Sequence, residues 1–315
     1  LTATPVENAR HEIWSLFDFL LPGLLVSRKK IKKEYEKSGT NDILINADLA
    51  SQIRPFILRR TKCEVARQLP PKIEQVVYCE LGNRQRQLYE EIKQTGKMIL
   101  RQANEDDWNH TRVEMLALLM RMRQACGHPD LLPPEFQPQD GESIASAKME
   151  LLQEIVLEAI DSNRRMLLFS QFTGVLKQIA PWLKTQKIPY EYLDGSTRSR
   201  QERVDRFNRD SKIPVFLISL KAGGTGLNLT GADTVIHYDQ WWNPMVEDQA
   251  TDRTHRIGQE SSVTVMKLVA RNTVEEKIVD LQAEKRELFN QLLSNAPTAP
   301  NQLTPEDFEF LLAES

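Results

Sequence analysis

Residues 214–229 read PVFLISLKAGGTGLNL, a short unbroken run of apolar residues followed at once by a glycine-rich turn. An apolar run of this length, bounded by turn residues, is typical of a strand that is buried on both faces. Four more such runs lie between helical patterns, at residues 166–170, 189–193, 234–238 and 263–269. Strands that alternate with helices predict an α/β fold in which helices cover both faces of a parallel sheet.

Apolar residues at helical spacing predict the helices of this sheet at 149–160, 175–183, 199–208, 245–255 and 273–293. The first 140 residues are predicted to be mostly helical, at 11–21, 48–57, 83–102 and 112–124. One strand is expected at 73–79, after Pro70-Pro71, and the basic stretch 28–39 is expected to be an exposed helix or loop. Four prolines and a glycine between residues 129 and 142 indicate a linker.

Length and composition bound the class of protein. With 315 residues, 40% hydrophobic and 27% charged, the chain is typical of a globular protein of two domains, or one with insertions. No 18-residue apolar window predicts a membrane span, and residues 1–5 show no basic start followed by an apolar core, so no secretory signal is expected there. The chain does not begin with Met and is expected to be a fragment. Three widely spaced cysteines, at positions 63, 79 and 126, argue against a zinc ribbon and suit a reducing compartment.

The distribution of charge is more informative than the net charge of −3. Residues 28–72 hold 12 Lys/Arg against 5 Asp/Glu, whereas residues 295–315 hold four acidic residues and no basic one. A basic stretch on a mildly acidic chain permits a phosphate-bearing partner without requiring one. A solvated helix face would explain the same charges.

The glycine-rich turn at 219–229 follows a predicted strand, at the edge where parallel sheets bind ligands. Three glycines within four positions allow backbone N–H groups to approach an anion, and Ser219, Lys221 and Thr225 add donors. Such turns are common, and this one is not a Walker A loop, because no G-x-x-x-x-G-K-[ST] occurs in the chain.

A second candidate site lies at residues 248–259, which read DQATDRTHRIGQ. Arg253 and Arg256 are three positions apart, so a helix would present both guanidinium groups on one face. Two forked cations on one face suit a polyphosphate, and Gln249 lies one turn earlier on that side. A surface ion pair between Asp252 and Arg256 is the alternative.

Several segments, taken in order, resemble conserved motifs of the Swi/Snf-type ATPases of helicase superfamily two. The chain is identified as a member of that family over about residues 1–293 from these matches: 1–5, 12–20, 69–72, 123–129, 166–172, 193–197, 219–229, 242–244 and 249–259. Three positions depart from the usual pattern, namely Ala3 in place of Gly, Lys221 in place of Arg and Gly127 in place of Asn.

The resemblance implies a motor of two RecA-like lobes that hydrolyses ATP while it moves along double-stranded DNA. It implies that 1–81 ends lobe one with a helical protrusion and that 82–140 is a second protrusion with a linker. Residues 141–270 would be the second RecA-like lobe, 271–294 a brace helix and 295–315 an acidic tail. An upstream part of lobe one would hold the Walker A lysine and the Asp-Glu site for Mg²⁺, so the isolated chain is expected not to hydrolyse ATP.

The resemblance also implies roles for individual residues. Arg256 is the first choice of arginine finger and Arg253 the second, while Gln249, Gly224 and Gly226 would contact the nucleotide. The implied DNA contacts are Ser170, Gln171, Gly195, Ser196, Thr197, Ser219, Lys221, Trp242 and Asn243. Hydroxyls, N–H groups and a lysine are common phosphate contacts and carry no sequence information. Trp242 has the alternative of a core or rim position beside Trp241, and Asp194 is expected only to form a turn.

Two other functions stay open at this point. The fold could serve as a non-catalytic docking or autoregulatory module that binds proteins through the basic stretch and acidic tail. It could also be a lobe of an RNA helicase, although the strings at 242–244 and 255–259 resemble the duplex-DNA branch. The expected partners of the motor are duplex DNA, the N-terminal lobe and other DNA-bound proteins, with no membrane. An intracellular location follows, either bacterial cytoplasm or eukaryotic nucleus.

Overall fold

The computed structural model of the chain describes residues 11–25, 52, 54–56, 66, 68–103, 108–137, 143–223, 226–283 and 305–313. The chain divides into two compact units. The first consists of residues 1–67, 243–245 and 280–302, and the second of residues 68–242, 246–279 and 303–315. The second unit contains the whole sheet.

In the first unit, helix α1 spans His11–Leu20, close to its predicted range. The chain leaves the helix through Gly23, whose φ of +86° lies in the left-handed region that glycine tolerates. Phe17 is buried and Phe19 is exposed. The predicted basic stretch 28–39 and most of the predicted helix 48–57 lie outside the described residues.

The second unit is built on a six-stranded sheet of order β1-β6-β5-β2-β4-β3, in which every pair of neighbours is parallel. Its strands are β1 Lys72–Cys79, β2 Met166–Ser170, β3 Tyr190–Leu193, β4 Val215–Ser219, β5 Thr234–His237 and β6 Val263–Ala270. The five strands predicted between residues 163 and 270 are therefore confirmed, and so is the parallel sheet.

Helices cover both faces of this sheet. The described helices that follow α1 are α2 Asn83–Gln102, α3 Trp108–Gly127, α4 Ala147–Asp161, α5 Thr173–Thr185, α6 Arg200–Arg209, α7 Leu220–Gly223, α8 Pro244–Thr251, α9 at residues 274–283 and α10 Pro305–Leu312. Within the described part of the chain, no helix is both long enough and apolar enough to cross a membrane. The predicted linker around residues 129–142 contains two short 3₁₀ turns, and residues 138–142 lie outside the described ranges.

The core has two layers because successive side chains of a strand point to opposite faces of the sheet. Leu167 and Phe169 of β2 join one layer with Phe207 of α6, whereas Met166 and Leu168 join the other with residues of α4 and α5. Strands β2 and β4 are buried at every position and apolar up to their final serines because both faces are covered, which is the pattern that the sequence shows.

Strand β1 is an edge strand of this sheet, although the sequence did not predict that it belongs to the sheet. Its eight residues pair in parallel with β6, from Lys72 opposite Val263 to Cys79 opposite Ala270. The sequence predicted a strand at 73–79 but grouped it with residues 1–81 rather than with residues 141–270. The structure places it in the same sheet as the other five strands, while the domain boundaries themselves stay a prediction.

Helices α2 and α3 form a hairpin whose end is bonded to the rest of the second unit. The last carbonyls of α3 accept hydrogen bonds from Gln85 Nε2 of α2 (Ala125 O, 2.8 Å) and, from outside the hairpin, from Tyr238 Oη (Gly127 O, 2.8 Å) and Ser146 Oγ (Gly127 O, 2.7 Å). Carbonyls at a helix end have no partner within the helix, so these bonds satisfy groups that burial would otherwise penalise.

The segment 305–312, predicted to be part of an acidic tail, forms helix α10. Its apolar residues Phe308, Leu311 and Leu312 are spaced along one helix face and are almost fully buried. The Phe308 ring meets Trp108 of the hairpin edge-on, with centroids 5.9 Å apart. Lys277 Nζ donates to the carbonyls of Phe310 at 3.0 Å and Ala313 at 2.7 Å, so a cation satisfies the end of α10.

A buried ion pair joins α4 to α9. The Lys148 ammonium donates to both oxygens of Glu275, at 2.5 Å to Oε1, and both side chains are inaccessible to solvent. Glu275 Oε2 also accepts the N–H of Ala270 at 3.0 Å, which fixes the end of β6. Removing one member of such a pair leaves the other charge buried without compensation.

We therefore expect Lys148→Met to lower the free energy of unfolding by about 3–5 kcal/mol. Arg209→Met is the matched control, because Arg209 pairs with Asp205 at 3.4 Å but its side chain is 80% exposed. The control should cost less than about 1 kcal/mol. Urea unfolding of the two variants measures the difference, and equal costs would contradict the assigned role of the buried pair.

Candidate functional site

The carboxyl ends of the parallel strands lie along one edge of the sheet, and most of the predicted DNA contacts follow them directly. Ser170 and Gln171 end β2, residues 195–197 follow β3, and Ser219 and Lys221 end β4. Trp242 lies in the segment after β5, and the structure thus brings these residues to a common edge. Their side chains differ in what they can offer to a ligand.

Ser170 faces the protein interior rather than the solvent. It is 1% exposed, and its hydroxyl donates to Asp239 Oδ2, while the N–H of Gln171 donates to Asp239 Oδ1 at 3.0 Å. Burial raises the pKa of the Asp239 carboxyl, and the nearby charge of Arg123 opposes that shift. Asp239 therefore joins the ends of β2 and β5, and the Ser170 hydroxyl serves that internal link.

Arg123 of α3 is a buried guanidinium to which the sequence analysis gave no role. It is 1% exposed, donates through Nη2 to the carbonyl of Gln240, and lies 5.4 Å from the centre of the Trp242 ring and 5.7 Å from that of Phe172. Burial lowers its pKa, and Asp239 opposes this. The half-buried Trp242 thus packs over a cation that comes from the helical hairpin. The sequence feature that could have indicated this role is that Arg123 is the first residue of segment 123–129, which resembles a motif of the Swi/Snf-type ATPases.

The loop after β3 is organised by Asp194, as the sequence predicted. Its Oδ1 accepts the N–H of Ser196 at 2.9 Å and the hydroxyls of Ser196 at 2.6 Å and Thr197 at 3.3 Å. The Ser196 hydroxyl is the main cause of the lowered pKa of Asp194. Gly195 and Ser196 are left exposed on the outside of this turn.

The glycine-rich segment after β4 presents one exposed cation. Ser219 is 4% exposed and its Oγ accepts the N–H of Ala222 at 3.4 Å, whereas the side chain of Lys221 is exposed. Gly226 is exposed, with a φ of +43° that favours glycine. Gly224 and Thr225 lie outside the described residues.

The two arginines do not project from a helix, contrary to the prediction of a helix over 245–255. Helix α8 ends at Thr251, and residues 252–258 form consecutive tight turns. The helix stops because its next carbonyls are bonded elsewhere. Arg253 O accepts the N–H of Leu229 at 3.0 Å, and Thr254 O accepts Gln259 Nε2 at 3.2 Å. We call residues 252–258 the arginine turn.

The arginine turn nevertheless holds the two guanidinium groups close to each other. Arg253 is half-buried and donates through Nε to Gly223 O at 3.2 Å. Burial and then the charge of Arg256 lower the pKa of Arg253, which indicates that the two cations are neighbours. Arg256 is exposed, and the described residues provide it with no ion pair, so the alternative of a pair with Asp252 is not seen.

The arginine turn has contacts at the amino ends of β5 and β1, whereas the loops described above follow the carboxyl ends of the strands. The sequence analysis placed all candidate residues at the carboxyl ends. Gln259 Nε2 donates to Ala232 O at 2.8 Å, just before β5 begins, and the His255 ring bonds Pro70 O at 2.8 Å, just before β1. The reason is that α8 runs back along the sheet to start the next parallel strand. Arg253 alone reaches across to the glycine-rich segment.

Gln249 and Asn243 belong to the segment of helix α8. Gln249 is half-buried on the helix itself. Asn243 Oδ1 accepts the N–H of Met245 at 3.0 Å, an arrangement that caps a helix which begins with Pro244. The predicted DNA contact of Asn243 thus coincides with a capping role. Among the described residues, no cluster of three or more His, Cys, Asp or Glu side chains could hold a metal ion.

Comparison with known proteins agrees with this architecture. Residues 1–131 match the SNF2-related domain, and residues 147–258 match the helicase conserved C-terminal domain. An uncharacterized ATP-dependent helicase of Mycoplasma pneumoniae is 40% identical over 98% of this chain and 29% of its own length. The human SWI/SNF-related matrix-associated actin-dependent regulator of chromatin subfamily A member 1 is 36% identical over 89% of this chain and 27% of its own.

Two solved structures are similar to the whole chain or to most of it. The Sulfolobus solfataricus SWI2/SNF2 ATPase core in complex with dsDNA matches with a TM-score of 0.62 and 34% identity, over 100% of this chain and 66% of that one. The C-terminal domain of a SWI2/SNF2 ATPase from the same organism matches with a TM-score of 0.59 and 30% identity, over 78% of this chain and 99% of that one.

The sheet, the helical hairpin and these matches define a RecA-like domain of the SWI2/SNF2 ATPase type. The chain belongs to the SWI2/SNF2 family of helicase superfamily two. It spans less than a third of the length of the two relatives described above.

The conformation of the arginine turn depends on Gly258. Its φ is +100°, a value that side chains with a Cβ tolerate poorly, and no atom lies within 4 Å of a Cβ added there. We expect Gly258→Ala to cost about 1–2 kcal/mol of folding free energy through backbone strain alone.

Gly195→Ala is the matched control, because Gly195 also has open space but no such φ. Its cost should stay within about 0.5 kcal/mol. Urea unfolding compares the two, and a Gly258→Ala variant as stable as the control would show that the turn relaxes without strain.

Proposed function

We propose that the chain is the C-terminal half of an ATP-dependent motor that moves along double-stranded DNA and remodels chromatin or another protein–DNA complex. The observation that carries the proposal is the arginine turn, where an exposed Arg256 lies beside a half-buried Arg253. Similarity to proteins described as ATP-dependent helicases and to an ATPase core bound to dsDNA supports it. An intracellular site of action goes with this function.

The two arginines are suited to a polyphosphate. Each guanidinium can present two parallel N–H donors to phosphate oxygens, and Arg256 has no carboxylate among the described residues to compete for it. The bond from Arg253 Nε to Gly223 O fixes one guanidinium in place before any ligand arrives. Preorganised positive charge is the main aid that a protein gives to phosphoryl transfer.

We assign Arg256 the role of arginine finger and Arg253 that of its positioned neighbour. A finger contributes about 10³–10⁵ in rate, or about 4–7 kcal/mol at 1.36 kcal/mol per decade. ATP and Mg²⁺ would be held mainly by an N-terminal RecA-like lobe. The described residues of this chain contain no cluster of His, Cys, Asp or Glu that could hold the metal. Gln249, Gly224 and Gly226 remain proposed nucleotide contacts. The isolated chain would then be inactive, because the finger needs a nucleotide held by that lobe.

The proposed DNA surface is the carboxyl edge of the sheet. Lys221, Gly195, Ser196 and Thr197 lie there, the first three exposed, and Gln171 after β2 and Trp242 after β5 follow on the other side of β4. Their donors suit phosphates of either strand and give no sequence preference. Ser170, Ser219 and Asn243 remain proposed contacts, and their internal bonds to Asp239 and to the N–H groups of Ala222 and Met245 also shape the loops that carry the other contacts.

The domain organisation remains part of the proposal. Residues 1–81 would end lobe one with its protrusion, 82–140 would form the second protrusion, and 141–270 the second lobe. Residues 271–294 would act as a brace. Pairing of β1 with β6 supports moving strand 72–79 into the second lobe.

Arg256→Ala in the full-length protein should lower the kcat of duplex-stimulated ATP hydrolysis by about 10³-fold or more, because the finger acts on the transition state. Arg209→Ala provides the control, since Arg209 is an exposed arginine on α6 that pairs with Asp205. Steady-state ATPase assays measure both, with circular dichroism to check folding. A folded Arg256→Ala protein that turned over at the normal rate would refute the finger assignment.

Lys221→Ala should weaken duplex binding about equally for different sequences and reduce the slope of log K against log salt by about 1. Lys184 on α5 is the matched control, because it is exposed but lies on a helix that runs back from the carboxyl edge. Fluorescence anisotropy titrations over a range of salt give both slopes. An unchanged slope for Lys221→Ala would argue against a phosphate contact, and salt-insensitive binding to protein alone would favour a docking module.

A further inference from the structure

The segment Leu69-Pro70-Pro71-Lys72 is bonded directly to the arginine turn. His255 lies between Arg253 and Arg256 in the sequence. Its ring Nε2 is 2.8 Å from the carbonyl oxygen of Pro70. A carbonyl only accepts, so Nε2 carries the hydrogen in this bond. Sequence analysis gave neither His255 nor Pro70 a role.

The acceptor is rigidly held. Two consecutive prolines fix φ at residues 70 and 71 and restrict Leu69 as well. Pro71 O accepts the N–H of Val263 at 3.1 Å, and the chain then continues as β1, paired with β6 along its whole length. The Pro70 carbonyl is therefore a fixed point of the sheet edge rather than part of a loose loop.

The donor belongs to a turn that has little regular structure of its own. Past Thr251 the backbone bonds are mixed: His255 N still donates to Thr251 O at 3.1 Å in the helical manner, whereas Arg256 N donates to Thr254 O at 3.0 Å. Gly223 and Leu229 hold the turn at Arg253, and Gln259 holds it at its end. Among the described residues, His255 gives the turn its side-chain contact with the segment 69–72.

The position of residues 68–71 gives this contact its meaning. The first of the three segments that make up the first unit ends at residue 67, and Gln68 is the first residue of the second unit. The Pro70 carbonyl thus lies three residues after the point where the chain leaves the other unit. A bond at this place ties the connecting chain to the turn that carries the proposed finger.

We propose that His255 is a positioning residue, which sets the direction of Arg256 by anchoring the arginine turn to the connecting segment at Pro70. The inference rests on the proposed function of Arg256 and deepens it. It makes the placement of the finger depend on the segment 69–72 that leads into β1. His255 itself touches neither nucleotide nor DNA in this mechanism.

The test uses the full-length protein with His255→Ala and His255→Gln, since a glutamine Nε2 can still donate to Pro70 O. His255→Ala should lower kcat for duplex-stimulated ATP hydrolysis by about 10- to 100-fold, as expected for a misplaced catalytic group. The KM for ATP should change by less than about twofold, because a finger acts mainly in the transition state. His255→Gln should recover most of the loss.

His110→Ala is the matched control, because His110 is an exposed histidine of α3 that contacts only Glu114 in the described residues. A second readout is amide hydrogen exchange over residues 68–79 without nucleotide. Exchange there should accelerate in His255→Ala and stay normal in His110→Ala. Normal exchange in His255→Ala would overturn the anchor.

Three further outcomes would overturn the positioning role: an unchanged kcat in His255→Ala, equal losses in the alanine and glutamine variants, or a rise in KM without loss of kcat. Failure of the proposed function is seen separately. It would show as normal hydrolysis by Arg256→Ala, whereas the exchange measurement tests the His255–Pro70 anchor without reference to catalysis.

Discussion

The parallel pairing of β1 with β6 is the constraint on which the arrangement of this protein depends. Eight residue pairs fix 72–79 beside 263–270, so both ends of β1 have set positions. At one end, Pro70 and Pro71 lie against the arginine turn and the start of β6. At the other end, Cys79 O accepts the N–H of Arg271 at 2.8 Å before the chain enters α2. One ladder thus orients both the hairpin and the candidate finger.

The DNA-contact loops lie at the carboxyl ends of the strands, whereas the arginine turn contacts both the glycine-rich segment there and the amino ends of β1 and β5, and this arrangement has a mechanical meaning. Loops at the carboxyl edge are joined by Asp239 and by the buried Arg123, which also ties them to α3. The arginine turn is instead bonded to the segments that begin β1 and β5. Close-packed interiors have low compressibility and transmit strain. The packed sheet is therefore suited to pass a displacement from one site to the other.

Sequence predicted the five central strands because each is a short segment rich in apolar residues between helical patterns, a signal that needs no knowledge of its neighbours. It missed the place of β1, whose exposed positions carry no mark of the strand with which it pairs. It also extended α8 to residue 255, since nothing local reveals that Leu229 and Gln259 take over the carbonyls past Thr251. Residue types at 170, 219 and 243 indicated polar contacts correctly, but the partners are internal. The buried state of Arg123 depends on α3 meeting the β5 loop, which is a tertiary fact.

Helix α10 has a practical consequence for anyone who prepares shortened versions of this chain. Phe308, Leu311 and Leu312 cover Trp108 and the close crossing of the hairpin at Gly96. A version that stops before residue 305 would leave that crossing uncovered and would deprive the Lys277 ammonium of two carbonyl acceptors. Newly bare apolar surface next to a desolvated cation favours self-association, so such a preparation would call for a solubilising substitution on the hairpin.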